Sequence, residues 1–244
     1  MTVYAYDSVT VGPSLGLVVL QSDETIEGEL RSLLGDAQVY VSRVPSDLRV
    51  TRETLAEMAA HLGTAASLLP PGADLAAVAY GCTSGAAQIG PEQIARLVRQ
   101  GRQVADVTDP VSALIAACRQ LGIRRLALLS PYIAAVSDQL RTVLAAQGIE
   151  TPVFGTFAQS EEAKVVRIAP TAIIDAALDL CANADVDGVF LSCTNLRTLP
   201  VIDGLEATLG LPVLSSNLVL AWHMAQLARV PVAGPGRLLK MDGP

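Results

Sequence analysis

The chain lacks any apolar run near the ~20 residues that cross a bilayer, although 51% of its residues are hydrophobic and its mean hydropathy is positive. It has no CxxC pair among its four cysteines, and its two histidines, His61 and His223, stand far apart in sequence. Structural zinc usually takes closely spaced ligand pairs, so no metal site is expected. Cations are outnumbered: 17 Lys and Arg face 24 Asp and Glu, for a net charge of −7. Phosphate backbones need clustered cations, so nucleic acid is not expected as a partner. No GxGxxG follows an apolar run, and the segment from Gly81 to Gly85 lacks the GK[ST] of a nucleotide loop. The opening residues, Met1-Thr2-Val3-Tyr4-Ala5-Tyr6-Asp7, lack the basic start and apolar segment of a secretory signal. The expectation is a cytoplasmic protein with free thiols, no membrane segment and no cofactor.

What is present is alternation. Short runs rich in Val, Leu and Ala predict strands at 15–20, 38–41, 75–80, 104–107, 125–129, 153–157, 188–191 and 212–214. Helical patterns fall between them at 24–34, 53–69, 91–100, 111–121, 134–147, 170–182 and 218–228. Pro91 and Pro170 suit first helical positions, and Gly35, Gly101, Gly122 and Gly148 suit helix ends. This order implies an α/β fold with mostly parallel sheets covered on both faces. A chain of 244 residues allows one large domain or two small ones.

The chain also repeats itself. Leu17-Val18-Val19-Leu20-Gln21-Ser22-Asp23 resembles Leu126-Ala127-Leu128-Leu129-Ser130-Pro131-Tyr132, and Asp109-Pro110-Val111-Ser112 has a counterpart in Ser216-Asn217-Leu218-Val219. Two cysteine motifs match as well, almost half the chain apart: Ala79-Tyr80-Gly81-Cys82-Thr83-Ser84-Gly85 and Phe190-Leu191-Ser192-Cys193-Thr194-Asn195. The repeat implies two four-stranded units related by a pseudo-twofold axis, divided as residues 1–112 with 219–244 and residues 113–218. Ligands of open α/β sheets bind outside the carboxyl ends of the strands. All these motifs fall at strand ends, so one cleft is expected to gather Asp23, Cys82, Asp109, Tyr132, Cys193 and Asn217.

Two opposed thiols define a chemistry. A cysteine at a helix start meets unsatisfied N–H groups, which favour thiolate and lower the pKa. The hydroxyls of Thr83, Ser84 and Thr194 are candidates to hold a substrate carboxylate. One thiolate attacks carbon or removes a proton, while the second thiol supplies or accepts one. That pairing suits racemisation, epimerisation or cis–trans isomerisation without redox chemistry. Cys118 and Cys181, inside helical patterns, read as core residues. His61 reads as a solvated helix position, His223 as packing, and Arg197 either as an attractor of an anion or as the partner of an acid.

Gly81-Cys82-Thr83-Ser84-Gly85 and Ser192-Cys193-Thr194-Asn195-Leu196-Arg197-Thr198 closely resemble the two cysteine motifs of the aspartate/glutamate racemase superfamily, in its maleate isomerase and arylmalonate decarboxylase branch. Ser130-Pro131-Tyr132 and Trp222-His223 are similar too, so the resemblance spans nearly the whole chain. It implies a cofactor-independent enzyme with two flavodoxin-like lobes, a homodimer or higher homo-oligomer, with the active site between the lobes. By position, Cys82 is the implied nucleophile that adds to a double bond, Cys193 the opposing acid or base, and Tyr132 a partner of the substrate carboxylate. Asn195 joins the implied substrate-binding set. The decarboxylases keep only the second cysteine, with glycine at the first position, so two sulfurs argue for an isomerase or racemase.

Two departures stand out. Asp23 occupies a position where maleate isomerases carry a substrate-binding Asn, and Glu162, in Glu161-Glu162-Ala163-Lys164-Val165-Val166, aligns with another. Asp23 is equally suited to capping the next helix. An ionised carboxyl ~4 Å from a substrate carboxylate costs roughly 4 kcal/mol at an effective dielectric near 20, about a thousandfold in affinity. The expected substrate therefore has one carboxylate and a cationic or amide end, such as an amino-acid derivative; a role in ectoine breakdown would fit. A non-catalytic small-molecule sensor on the same scaffold is the other class of function.

Overall fold

The computed structural model describes residues 3–4 and 12–240. The opening segment read above for a secretory signal lies largely outside the described residues. The first half runs β1 (Ser14–Leu20), α1 (Ile26–Leu34), β2 (Val39–Val44), α2 (Arg52–Glu57), α3 (Ala59–Ser67), β3 (Leu75–Gly81), α4 (Thr83–Ile89), α5 (Pro91–Gly101), β4 (Asp106–Thr108) and α6 (Pro110–Leu121). The second half runs β5 (Arg125–Tyr132), α7 (Ala134–Ala146), β6 (Glu150–Gln159), α8 (Glu162–Val165), α9 (Pro170–Cys181), β7 (Gly188–Leu191), α10 (Leu199–Leu209), β8 (Val213–Ser215), α11 (Ser216–Ala228) and α12 (Arg237–Lys240).

Two four-stranded sheets result, ordered β2-β1-β3-β4 and β6-β5-β7-β8. Every pairing is parallel. The second order repeats the first, as the sequence repeat requires. Strands β1 and β7 are buried along their whole lengths, which is why they read as unbroken apolar runs rather than alternating ones. Edge strand β6 is half-buried. Helix α11 leaves the second sheet and packs on β3, β4 and α1 of the first, and against α6. Among the described residues no helix is long and apolar enough to cross a membrane.

The eight expected strands are all present. The helix expected over 53–69 is divided at Met58, whose sulfur sits 3.7 Å from the Tyr80 hydroxyl. His61 is exposed.

Helices α3 and α5 cross with almost no room between them. A Cβ on Gly101 would collide with the Gly63 carbonyl, which is backbone and cannot swing aside. Gly101→Ala should therefore destabilise the fold by about 2 kcal/mol or more, measured by urea denaturation. Gly28→Ala, where a Cβ meets open space, is the control and should not destabilise it.

Candidate active site

Both cysteine motifs emerge from central strands at the carboxyl edge of a sheet. Cys82 follows β3 and caps α4, its Sγ accepting the Gly85 N–H at 3.2 Å. Strand periodicity puts Tyr80 on the same side as Cys82, and Tyr80 is fully buried. Gly85 must be glycine here: a Cβ would lie 3.0 Å from Cys82 Sγ and would strike the Tyr80 hydroxyl. Cys193 follows β7 at φ +130°, a region that L side chains rarely adopt. Its Sγ accepts the Asn195 N–H at 3.3 Å and lies 3.1 Å from the Tyr132 hydroxyl.

One small cavity is lined by Leu20, Ser22, Asp23, Cys82, Thr83, Ser84, Tyr132, Glu162, Cys193 and Thr194. Residues 82 and 193 therefore share a cavity, and both are buried. Contacts between the halves surround it: Glu24 pairs with Arg167 at 3.0 Å, the Val50 N–H donates to the Ser160 carbonyl at 2.9 Å, and Arg52 Nε donates to the Ala135 carbonyl at 2.9 Å.

A buried hydrogen-bond network backs the second sulfur. Tyr132 donates to Glu162 Oε1 at 2.5 Å, and Asn195 Nδ2 donates to Glu162 Oε2 at 3.1 Å. Both Glu162 oxygens are thus engaged by protein donors. Asn195 lies behind the cavity wall, where its Oδ1 accepts the Glu24 N–H at 2.9 Å and its carbonyl accepts the Thr25 hydroxyl at 3.1 Å. Ser216, which sequence reading treated only as a helix opener, links both motifs. Its hydroxyl oxygen accepts from Thr83 Oγ1 at 2.7 Å and from the Cys193 N–H at 2.9 Å.

Several expectations need correction. Asp109 does not reach the cavity: its carboxylate is used by the Val111 and Ser112 N–H groups and the Ser112 hydroxyl, capping α6. Nor does Asn217, which donates to Glu29 and to the Thr194 carbonyl, both at 2.8 Å. Asp23 both lines the cavity and caps the start of α1, accepting the Thr25 and Ile26 N–H groups at 2.8 and 2.9 Å. The Thr83 and Thr194 hydroxyls spend their hydrogens inside the protein, on Ser216 and on the Gly81 carbonyl at 3.3 Å. Half-buried Ser84 is the hydroxyl of that trio left to face a ligand. Arg197 does not line the cavity and pairs with no acid among the described residues; its guanidinium donates to the Ile168 carbonyl at 3.3 Å. His223 Nδ1 contacts the Thr108 hydroxyl at 2.7 Å.

The thiols are not activated by the helix start, contrary to expectation. Burial pushes Cys82 up to about 12, and the Gly85 N–H and Tyr80 hydroxyl oppose it without winning. Burial raises Cys193 well above its ordinary value, the nearby Glu162 carboxyl adds to this, and Tyr132 and the Asn195 N–H oppose. Desolvation of a charge outweighs a few hydrogen bonds here. The same burial raises Asp23 against the Ile26 and Thr25 N–H groups, and raises Glu162 against Tyr132 and Asn195. Both carboxyls are thus easier to hold neutral than exposed ones, which softens the repulsion of a second substrate carboxylate. Among the described residues no cluster of His, Cys, Asp and Glu has the makings of a metal site.

Paired half-sites at the carboxyl edges of two identically ordered parallel sheets, each giving one cysteine to a common cavity, define a two-lobed α/β protein of the two-thiol kind. The chain belongs to the arylmalonate decarboxylase family, whose model matches residues 16–239. It is 28% identical over 221 residues to the maleate isomerase of Geobacillus stearothermophilus, covering 83% of this chain and 86% of that one. The arylmalonate decarboxylase of Bordetella bronchiseptica is 32% identical over half of each chain. Among solved structures, a cysteine-to-serine mutant of the Nocardia farcinica maleate cis-trans isomerase, with a covalently bound succinylcysteine intermediate, superposes with a TM-score of 0.85. It is 26% identical and covers 95% of this chain and 99% of that one.

Two predictions follow from the strain and from the buried acids. A glycine tolerates φ +130° and an alanine does not, so Cys193→Gly should be about 1 kcal/mol more stable than Cys193→Ala in urea denaturation. A carboxyl held above its ordinary value binds its proton more tightly folded than unfolded. The stability it contributes is complete below 3.8 for Asp23 and Asp109, or 4.5 for Glu29 and Glu162. It is lost as pH rises through the higher folded values. The thermal midpoint should therefore fall as pH climbs above 4.5, and Asp23→Asn should flatten that slope; an unchanged slope in the variant contradicts the assignment.

Proposed function

We propose that this chain is a cofactor-independent isomerase of a small carboxylate, related in chemistry to maleate cis-trans isomerisation, with Cys82 as nucleophile and Cys193 as the opposing acid and base. The observation that carries the reading is that both cysteines line one small cavity. The succinylcysteine found in the Nocardia farcinica relative supports an addition route. In that route Cys82 gives its S–H proton to a carboxylate lining the cavity as its sulfur adds to a carbon of the double bond, and the electron pair moves to the neighbouring carbon; the proton returns to sulfur when Cys82 departs. The Cys193 thiol protonates that carbon, leaving a single bond that is free to rotate. Cys193 then takes a proton back from that carbon, the double bond re-forms in the other geometry, and Cys82 departs. The Ser84 hydroxyl is the donor for a substrate carboxylate, while Thr83, Thr194 and Asn195 hold the two cysteine loops in place.

A second reading has its own support. Asp23 and Glu162 face the cavity, and among the described residues no basic side chain lines it. Such a lining favours a substrate with one carboxylate and a nitrogen-bearing end, racemised or epimerised by proton transfer between the two thiols. Two sulfurs favour either of these reactions over decarboxylation.

The test is turnover of maleate beside a panel of amino acids and their N-acyl forms, with solvent deuterium followed at the α-carbon. Geometric isomerisation marks the addition route; deuterium at an inverted α-carbon marks racemisation. Fast turnover of maleate alone removes the nitrogen-bearing substrate class. Cys82→Ser and Cys193→Ser should each lower turnover by about a thousandfold while ligand binding persists. A sensor on this scaffold would instead show ligand binding without turnover in the unmodified chain.

A further inference from the structure

Glu162 faces the cavity, and each of its oxygens already holds one protein donor. Oε1 accepts from the Tyr132 hydroxyl at 2.5 Å and Oε2 from Asn195 Nδ2 at 3.1 Å. The same Tyr132 oxygen lies 3.1 Å from Cys193 Sγ. Sulfur, phenol oxygen and carboxylate oxygen therefore form an unbroken chain at hydrogen-bonding distances, all of it buried. We infer that Glu162 is the proton acceptor for Cys193, working through Tyr132 as a relay. The inference rests on the reading of Cys193 as the acid and base of the site.

The step balances without any outside reagent. The Cys193 S–H proton passes to the Tyr132 oxygen as the Tyr132 O–H proton passes to Glu162 Oε1. The products are a Cys193 thiolate, an unchanged tyrosine hydroxyl and a neutral Glu162 carboxylic acid; the return step restores the thiol. During that transfer one negative charge moves between two buried sites and is not doubled. Ionising Cys193 beside a charged Glu162 would place two anions in one dry cavity, which is the costly alternative. Burial disfavours the charged form at both ends of the relay, so the charge costs desolvation wherever it rests.

The groups facing Glu162 are Tyr132 from β5, Cys193 and Asn195 from the loop after β7, Asp23 from the loop after β1, and Cys82 at the end of β3. On its own segment, Glu161 and Lys164 pair with each other at 2.7 Å on the exposed side. Asp23 repels charge on Glu162 and favours its protonated form. The neutral amide expected from the family resemblance at this position could accept a hydrogen bond from Tyr132 but could not take up the proton.

The test needs no substrate. The unmodified chain, Glu162→Gln and Tyr132→Phe are alkylated with iodoacetamide between about pH 5 and about pH 10, and each cysteine is read by mass spectrometry. The Cys193 rate is divided by that of Cys118, which is buried in α6 outside the cavity and reports general opening. Both substitutions should slow Cys193 at neutral pH by about tenfold or more. The unmodified chain should show a fall in rate as Glu162 is protonated from solvent, and the variants should lack that limb. A Cys193 that reacts as fast or faster in Glu162→Gln overturns the relay, because a carboxylate acting only through its charge would suppress the thiolate. Slowed alkylation in the variants, with no turnover of any acid in the panel, would defeat the isomerase reading and leave the relay. Turnover with unaltered Cys193 reactivity would do the reverse.

Discussion

Both cysteine loops hang on hydrogen bonds that cross from one half of the chain to the other. The Ser216 hydroxyl accepts from Thr83, beside one sulfur, and from the backbone N–H of Cys193 itself. Thr194 reaches across to the Gly81 carbonyl, and Thr25 and Glu24 reach across to Asn195. Each lobe presents its cysteine at a strand end, as parallel sheets present ligand-binding residues, but neither lobe alone makes a cavity. The crossing bonds turn two half-sites into one, and they hold Cys193 in a backbone conformation that local sequence would not choose. Strain of this kind persists only where surrounding contacts over-determine it.

A consequence is that the site works by controlled dryness. Burial makes thiolates, and the carboxylates near them, costly at rest. A reaction between two such thiols gains from moving one charge among prepared positions rather than from keeping an exposed nucleophile permanently ionised. The cavity's side chains offer acceptors and neutral donors rather than cations, which makes charge on the substrate a strong discriminator.

The strands were legible because each buried strand is a short apolar run bounded by turn residues, and the internal repeat doubled the signal. Cys82, Cys193, Tyr132, Asp23 and Glu162 were legible because they fall in repeated or recognisable motifs at strand ends. Helix α10 was missed for a physical reason. Its segment carries Pro200 near the start and Gly204 inside, and its first amides are capped by Glu29 from α1, through the Thr198 and Leu199 N–H groups at 3.0 and 3.2 Å. A cap that arrives from distant chain leaves no local mark. Asp109 and Asn217 were placed in the cleft by symmetry alone, yet one is consumed by its own helix and the other by Glu29. Desolvation, which reverses the expected thiol shift, depends on packing that no motif encodes.

The most direct measurement is the fate of Cys82 when the reaction is stopped halfway. The Cys193→Ser chain is incubated with the acid that the unmodified chain turns over fastest, then digested, and the three remaining cysteines are weighed. The account predicts an adduct of substrate mass on Cys82 alone. An unmodified Cys82, or adduct shared with Cys118 and Cys181, would contradict it.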